Sequence, residues 1–257
     1  MKEIQQEIEN IILECGNLIV NADRDNLGIE NKEGKANIVT KYDKLVQEKL
    51  KMELLNLIPN ALFIGEEEEL NSKISKRGYT FIVDPIDGTT NFSRNVKMSA
   101  ISVALLKDGE PIIGMCYNPY TDEMYTAKKG EGAYLNNEKI KVSDKRLKDG
   151  IVLCGCSPYY DSLRKKSLEI QKNFSMIASD YRRFGSAVIE ICSIASGKAE
   201  VYFELKLMPW DYAAASLILK EAGGKISTIE GHEIDYNKPS SVIASNGVEN
   251  YFMYLNC

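Results

Sequence analysis

Histidine is almost missing from this chain of 257 residues: His232 is the only one. It sits in a polar turn, Glu230-Gly231-His232-Glu233, with no obvious nucleophile beside it. A Ser-His-Asp triad or a multi-histidine zinc or iron site would need that one imidazole to act alone, so neither chemistry fits. Cysteine is thinly spread. Cys15, Cys116, Cys154, Cys156, Cys192 and Cys257 form no CxxC pair and mostly lie in apolar runs, where a reduced thiol packs as a small hydrophobe. This predicts a reducing, cytoplasmic setting without a disulfide framework. No run approaches the roughly 20 apolar residues of a membrane span, and the charged stretch Met1 to Glu9 lacks the apolar core of a signal peptide. Internal repeats, low-complexity tracts and flexible linkers are also absent.

Excess charge of one sign is missing too. Lys and Arg number 32 against 37 Asp and Glu, a net charge of −5, with both signs scattered along the chain. A nucleic-acid binder usually gathers its cations into a patch, so the expected partner is a small anionic or metal-bound metabolite, with neither nucleic acid nor membrane involved. With imidazole scarce, carboxylates are expected to carry the acid/base and metal chemistry.

Ile4, Ile8, Ile11, Ile12, Cys15, Leu18 and Ile19 recur at three and four residues, the stripe of an amphipathic helix ending near Asp23. A second helix is predicted from Asp43, as N-cap, to Leu57, with Pro59 beyond its end. Strands follow at Phe81 to Val83, Ser99 to Leu106, Ile112 to Tyr117 and Glu123 to Ala127, an antiparallel meander. Beyond the Ile151 to Cys154 strand, helical patterns at Ser162 to Ile177 and Ser186 to Ser196 alternate with strands at Glu200 to Phe203, Gly224 to Ser227 and Ser241 to Ala244. The order predicts an α+β fold in layers, with an antiparallel-sheet half over 1–147 and an α/β half over 148–257.

Three acidic segments lie at strand ends or helix starts. Gly65-Glu66-Glu67-Glu68-Glu69 follows Ala61 to Ile64 and, taken alone, reads as a solvated acidic loop. Asp84-Pro85-Ile86-Asp87-Gly88-Thr89-Thr90-Asn91-Phe92 follows an apolar strand. Pro85 stiffens the backbone there, and oxygens of Asp84, Ile86 and Asp87 suit a hard cation such as Mg²⁺. Gly88-Thr89-Thr90 would then offer backbone N–H groups to a phosphate. In Trp210-Asp211-Tyr212-Ala213-Ala214-Ala215, which runs to Gly223-Gly224, Asp211 reads equally well as helix N-cap or metal ligand.

Together these strings resemble the inositol monophosphatase family of Mg²⁺-dependent phosphatases. Order and separation agree, as do Ile38-Val39-Thr40-Lys41-Tyr42-Asp43 and Arg183-Phe184-Gly185-Ser186-Ala187, so that the similarity runs from Lys35 to Gly224. The resemblance implies the layered αβαβα sugar-phosphatase fold and a phosphomonoesterase that attacks its substrate with metal-activated water. By the same likeness, Glu66, Asp84 and the Ile86 carbonyl would hold one metal, and Asp84, Asp87 and Asp211 a second. Thr89, beside Glu66 and Asp43, would orient and deprotonate the attacking water. Asp87, Gly88, Thr89, Gly185, Ser186, Ala187, Glu204 and Asp211 match substrate-contacting positions; Glu67 would stand just behind the site, and Glu68 and Glu69 would be solvated. Two or three Mg²⁺ ions, replaceable by Mn²⁺, lithium sensitivity and a homodimer are further implications, with the apolar meander Ser99 to Ala127 offering a surface for pairing.

Phosphate monoester dianions repel hydroxide and hydrolyse extremely slowly, so concentrated positive charge around the phosphoryl oxygens is what catalysis requires, and no histidine is needed. Asn37 stands where many relatives are acidic, which weakens any third metal contact through that loop. The Asn31 to Asn37 loop, glycine- and lysine-bearing, is expected to close over the site when metal binds. Rival activities on the same fold are fructose-1,6-bisphosphatase, histidinol-phosphatase and 3′-phosphoadenosine nucleotide phosphatase, and Cys154-Gly155-Cys156-Ser157-Pro158 does not decide among them. Thr90-Asn91-Phe92 keeps the inositol phosphatase wording and favours a polyol or sugar. A non-catalytic regulatory protein would be expected to have lost Glu66, Asp84, Asp87, Thr89 or Asp211, and all five are present.

Overall fold

The computed structural model describes residues 2–32, 37–68, 74, 77–157 and 160–255. The N-terminal apolar stripe forms α1 (Lys2–Val20), with Ile8, Ile12, Cys15 and Ile19 fully buried. Two short antiparallel strands, β1 (Glu30–Asn31) and β2 (Ile38–Val39), precede α2 (Lys41–Leu57), which packs beside α1. Asp43 is not the N-cap of α2. Thr40 takes that position, its hydroxyl accepting from the amides of Tyr42 and Asp43, while Asp43 accepts from the Thr40 amide at 2.7 Å. This reciprocal capping box also satisfies the Thr40 amide, a donor that a one-way cap would leave to water.

Strand β3 (Leu62–Gly65) runs parallel to β4 (Tyr79–Asp87). A five-residue helix, α3 (Thr89–Ser93), then leads into β5 (Ala100–Lys107), β6 (Glu110–Asn118) and β7 (Glu123–Lys128). The short strands β8 (Gly132–Leu135) and β9 (Glu138–Ile140), too brief to show alternation, complete a seven-stranded sheet in sequence order. Strand β4 does not end at Val83: its ladder with β5 continues to Asp87 through a register shift after Asp84. Such a bulge tolerates Pro85 and re-aims the side chains on either side.

A 3₁₀ turn at Leu147–Asp149 leads to β10 (Ile151–Cys154), α4 (Asp161–Ser175), β11 (Asp180–Arg182) and α5 (Ala187–Ala195). Then come β12 (Val201–Leu207), α6 (Pro209–Glu221), β13 (Lys225–Ser227) and β14 (Ser240–Ser245). The five strands are ordered β11-β10-β12-β14-β13, with β10 parallel to both neighbours and β14 antiparallel to both of its own. Strand β11, three exposed residues, carries no apolar signal and was not foreseeable.

Alternation in the larger sheet sorts its side chains between two cores. Phe81, Val83, Val103, Leu105 and Met115 face α1 and α2, whereas Ile82, Ala104, Leu106 and Cys116 face α5 and α6. Each fully buried apolar side chain of this size stabilises by about 1.5–3 kcal/mol. Helices α5 and α6 also pack on the smaller sheet, whose far side is covered by α4 through Ile170 and Phe174, the latter stacked 5.3 Å from Phe203. The layers are therefore α1/α2, seven strands, α5/α6, five strands, α4: the expected αβαβα arrangement. The meander from Ser99 to Ala127 is covered on both faces within the chain, so it is not the exposed pairing surface its apolarity suggested.

The alanine run of α6 has a packing reason. At Gly114 of β6 an added Cβ would lie 2.6 Å from the Ala214 carbonyl oxygen, so helix and strand meet at backbone distance and leave room only for small residues. The five described cysteines are free thiols, and no helix among the described residues is long and apolar enough to cross a membrane.

Candidate active site

Asp84 and Asp87 reach a cleft of about 460 Å³ from the bulged end of β4, and Asp211 enters it from the first turn of α6. One carboxylate oxygen from each lies within 4.8 Å of the other two. Asp211 is not an N-cap either. Met208 holds that position, Pro209 fills the first helical one, where no intrahelical N–H is needed, and Asp211 accepts from the Met208 amide at 2.7 Å. Its direction is fixed all the same. The Trp210 carbonyl accepts from Ser102 Oγ at 3.2 Å, which ties this helix start to β5.

Burial and mutual repulsion dominate the electrostatics. Burial, then the charges of Glu66, Asp87 and Asp211, pushes Asp84 well above the usual carboxylate range. Asp211 is likewise pushed well up, by burial and then by Asp87 and Glu66. Asp87 rises to about 7 through burial, although Ser186 Oγ and the Val188 amide, at 2.7 Å, both donate to it. Bringing three carboxylates together without an ion pair is costly unless a cation joins them. Hard oxygen donors at this spacing suit a divalent ion such as Mg²⁺. Ile86 lines the same cleft, and its carbonyl accepts from Thr89 Oγ1 at 3.2 Å.

Asp43 is fully buried behind the cleft, and its Oδ1 accepts from Thr89 Oγ1 at 3.0 Å. Burial outweighs its hydrogen bonds and lifts its pKa to about 6. Glu66 lines the cleft and is met by Lys32 Nζ at 3.0 Å, which also binds Glu67 at 2.6 Å. Glu67, whose amide donates to Gln47 at 2.8 Å, thus stands behind Glu66, and burial with the Glu66 charge raises its pKa to about 7. Glu68 pairs with Lys51 near solvent; Glu69 lies outside the described residues. Of the loop expected to close, Lys32 and Asn37 line the cleft, and residues 33–36 lie outside the described set.

Two motifs from opposite halves are clamped by Asn91, whose Nδ2 donates to the carbonyls of Met98 at 2.8 Å and Phe184 at 2.7 Å. Gly88, at φ 89°, requires glycine twice over: the backbone is left-handed, and an added Cβ would lie 3.0 Å from the Met98 carbonyl oxygen. Gly88, Thr89, Gly185, Ala187 and Glu204 line the cleft. Ser186 does not; it is buried as the N-cap of α5, accepting from Ile189 and donating to Asp87.

The sequence profile of the inositol monophosphatase family matches residues 1–254. The chain belongs to this family. It is 31% identical over 244 residues to the inositol-1-monophosphatase of Bacillus subtilis, covering 95% of this chain and 92% of that one. The solved structure of the extragenic suppressor protein suhB from Bartonella henselae superposes with a TM-score of 0.90 at 30% identity, over 99% of this chain and 98% of that one. A solved IMPase/NADP phosphatase complexed with Mg²⁺ and phosphate superposes with a TM-score of 0.89 at 25% identity, over 100% and 96%. Members of the inositol monophosphatase family hydrolyse phosphate monoesters with a divalent metal cofactor, and this chain is a phosphoric monoester hydrolase of that kind.

Several residues of the cleft escape the sequence reading, among them Tyr160, Glu190 and Lys206. Glu190, buried with its pKa well raised by burial, accepts from the Phe184 amide at 2.7 Å. Lys206 could have been found, because it follows Glu204 by two residues on one strand and so shares its face.

Proposed function

We propose that this phosphatase hydrolyses inositol monophosphate or a closely similar polyol or sugar phosphate, in the cytoplasm and as a homodimer. The observation that carries the reading is the convergence of Asp84, Asp87 and Asp211 within 4.8 Å. Residues 1–147 bring the first two of these carboxylates and Glu66, and residues 148–257 complete the site with Asp211 and the cleft wall around Glu204. Glu66, Asp84, the Ile86 carbonyl, Asp87 and Asp211 would hold two or three Mg²⁺ ions, or Mn²⁺ in their place. Bound there, the metal would neutralise the phosphoryl oxygens and make water a better nucleophile.

The chain's own groups divide the remaining work. Thr89 Oγ1, held between Asp43 and the Ile86 carbonyl, accepts a hydrogen bond from the attacking water while handing its own proton toward Asp43. Asp43, with a pKa near 6, is matched to receive that proton close to neutral pH. Glu66 stands by as the second base. Amides of Gly88 and Thr89 face the phosphate, while Gly185, Ala187 and Glu204 contact the alcohol part; Ser186 acts by aiming Asp87.

A phosphate-release panel with inositol 1-phosphate, fructose 1,6-bisphosphate, histidinol phosphate and phosphoadenosine phosphate, each with and without Mg²⁺, tests the reading. Mg²⁺-dependent release from inositol 1-phosphate, blocked by Li⁺, is expected. Absence of release from every ester would overturn it.

A further inference from the structure

The segment Cys154-Gly155-Cys156-Ser157-Pro158, silent about substrate as a sequence, lies directly against Glu204 in the fold. Strand β10 ends at Cys154, and the Gly155 amide donates to the Phe203 carbonyl at 2.8 Å, so the chain leaves β10 alongside Glu204 of β12. Gly155 has no side chain to put there. An added Cβ would fall on the Glu204 carboxylate, which lies across the bare backbone of this glycine. Gly155 is not in the left-handed region, so what it supplies is space.

Two donors from separate segments then fix the carboxylate. The Ser157 amide donates to Oε1 at 2.9 Å, and the Tyr202 hydroxyl to Oε2 at 2.9 Å. Ser157 stands at φ 42°, a left-handed backbone that few serines adopt. Tyr202 is fully buried, and burial with the Glu204 charge holds its pKa well above the ordinary range, so the hydroxyl stays a donor. Burial also raises the Glu204 pKa, while the Tyr202 hydroxyl, the Ser157 amide and the Arg183 charge pull it back. A carboxylate has about four lone-pair sites, so these donors leave acceptor capacity for a ligand in the cleft that Glu204 lines.

We propose that Tyr202 and the turn from Gly155 to Ser157 are positioning residues for Glu204, and that through it they set the preference for an alcohol bearing hydroxyl groups. This rests on the phosphatase reading above and names the parts of the chain that decide its alcohol. The metal carboxylates treat the phosphoryl end of every ester alike, so discrimination must come from the wall that meets the alcohol. A glutamate free to swing would lose rotamer freedom each time a hydroxyl bound to it. One already held loses little, and the binding is tighter by that difference. A leaving group without hydroxyls gives Glu204 nothing to accept, and gains nothing from its order.

The test compares kcat/KM for inositol 1-phosphate with that for p-nitrophenyl phosphate, whose ring carries no hydroxyl, in the whole protein with saturating Mg²⁺. Tyr202→Phe removes one donor and keeps the ring. Gly155→Ala displaces the carboxylate, which is the far end of a flexible side chain and can yield without unfolding the protein. Each is expected to lower the ratio of the two esters about tenfold from its wild-type value, the worth of one hydrogen bond to a charged group, mainly through KM for inositol 1-phosphate. Glu204→Ala should lower the ratio at least as far, and Tyr202→Phe added to it should lower it little further, because the hydroxyl acts only through that carboxylate. A ratio unchanged in both single variants, an equal fall for both esters, or additive losses in the double variant would overturn the proposal and leave the phosphatase reading intact. Should Tyr202→Phe fail to fold, the ratio in Gly155→Ala decides alone. Wild-type release from p-nitrophenyl phosphate but not from inositol 1-phosphate would overturn the proposal and the choice of alcohol, and no Mg²⁺-dependent release from either would remove the phosphatase reading as well.

Discussion

Thr89 Oγ1 lies 3.0 Å from Asp43 Oδ1, while Oδ2 of the same carboxylate accepts from the Thr40 amide at 2.7 Å. One side chain thus starts a helix and faces the reacting end of the cleft. Thr89→Val and Asp43→Asn are each expected to lower kcat by about 10²–10⁴, the usual worth of a positioned proton acceptor, with little change in KM. The double variant should cost scarcely more than either alone, because both break one relay. Steady-state phosphate release checks this; additive losses would separate the two residues.

Asp84→Asn should abolish Mg²⁺-dependent phosphate release and still leave the protein folded. Removing a buried charge that is raised well above its ordinary range by burial and by Glu66 should also make the metal-free protein more stable. Urea melts in chelator, beside the activity assay, report both. Full activity in this variant would sink the metal assignment.

Without metal, the raised carboxylates predict a pH dependence of definite sign. Asp87 titrates near 7 and Asp43 near 6 when folded, against about 4 in the unfolded chain. Between those values the folded state binds more protons, so stability falls as pH rises: the contribution is complete below about 4 and gone above about 7. Mg²⁺ needs the deprotonated carboxylates, so its affinity should climb over the same window with proton release. Urea midpoints in chelator should therefore fall from pH 5 to 7.5 and cease to fall with saturating Mg²⁺. A midpoint in chelator that rises with pH would contradict the shifts.

Asn91→Ala strips the carbonyls of Met98 and Phe184 of their shared donor. A loss of about 1–3 kcal/mol is expected, the cost of leaving buried polar groups unsatisfied, with a fall in activity as the two motifs part. Equilibrium unfolding with Mg²⁺ present measures it. An unchanged midpoint would mean that water replaces the amide freely.

What could be read from the chain depended on how local the determining forces are. Asp84, Asp87 and Thr89 lie in one short string, so their grouping was legible, and the split of β4 and β5 residues between two cores is ordinary period-two burial. Neither Asp43, read as a cap, nor Asp211, for which a cap was one of two readings, caps its helix, and for one reason. Composition shows which side chains are able to cap, whereas the backbone turn decides that Thr40 and Met208 come first and the acids answer from the third position. The Ser99 to Ala127 run looked like a docking surface because apolarity does not say which neighbour covers it; α5 and α6, arriving much later in the chain, do. The contact between Lys206 and Tyr160 stays hidden in the sequence because it depends on how β12 and the start of α4 are placed.

The two elements that aim carboxylates into the cleft, a strand and a helix, are far apart along the chain, β4 bearing Asp84 and α6 bearing Asp211. An ion shared by them would close a loop on the order of a hundred residues, and a tie across so long a loop removes much of the freedom of the unfolded chain. The catalytic centre would then also act as a clasp: a loaded site would add a tie between the first half of the polypeptide and the second, beyond the apolar core they already share.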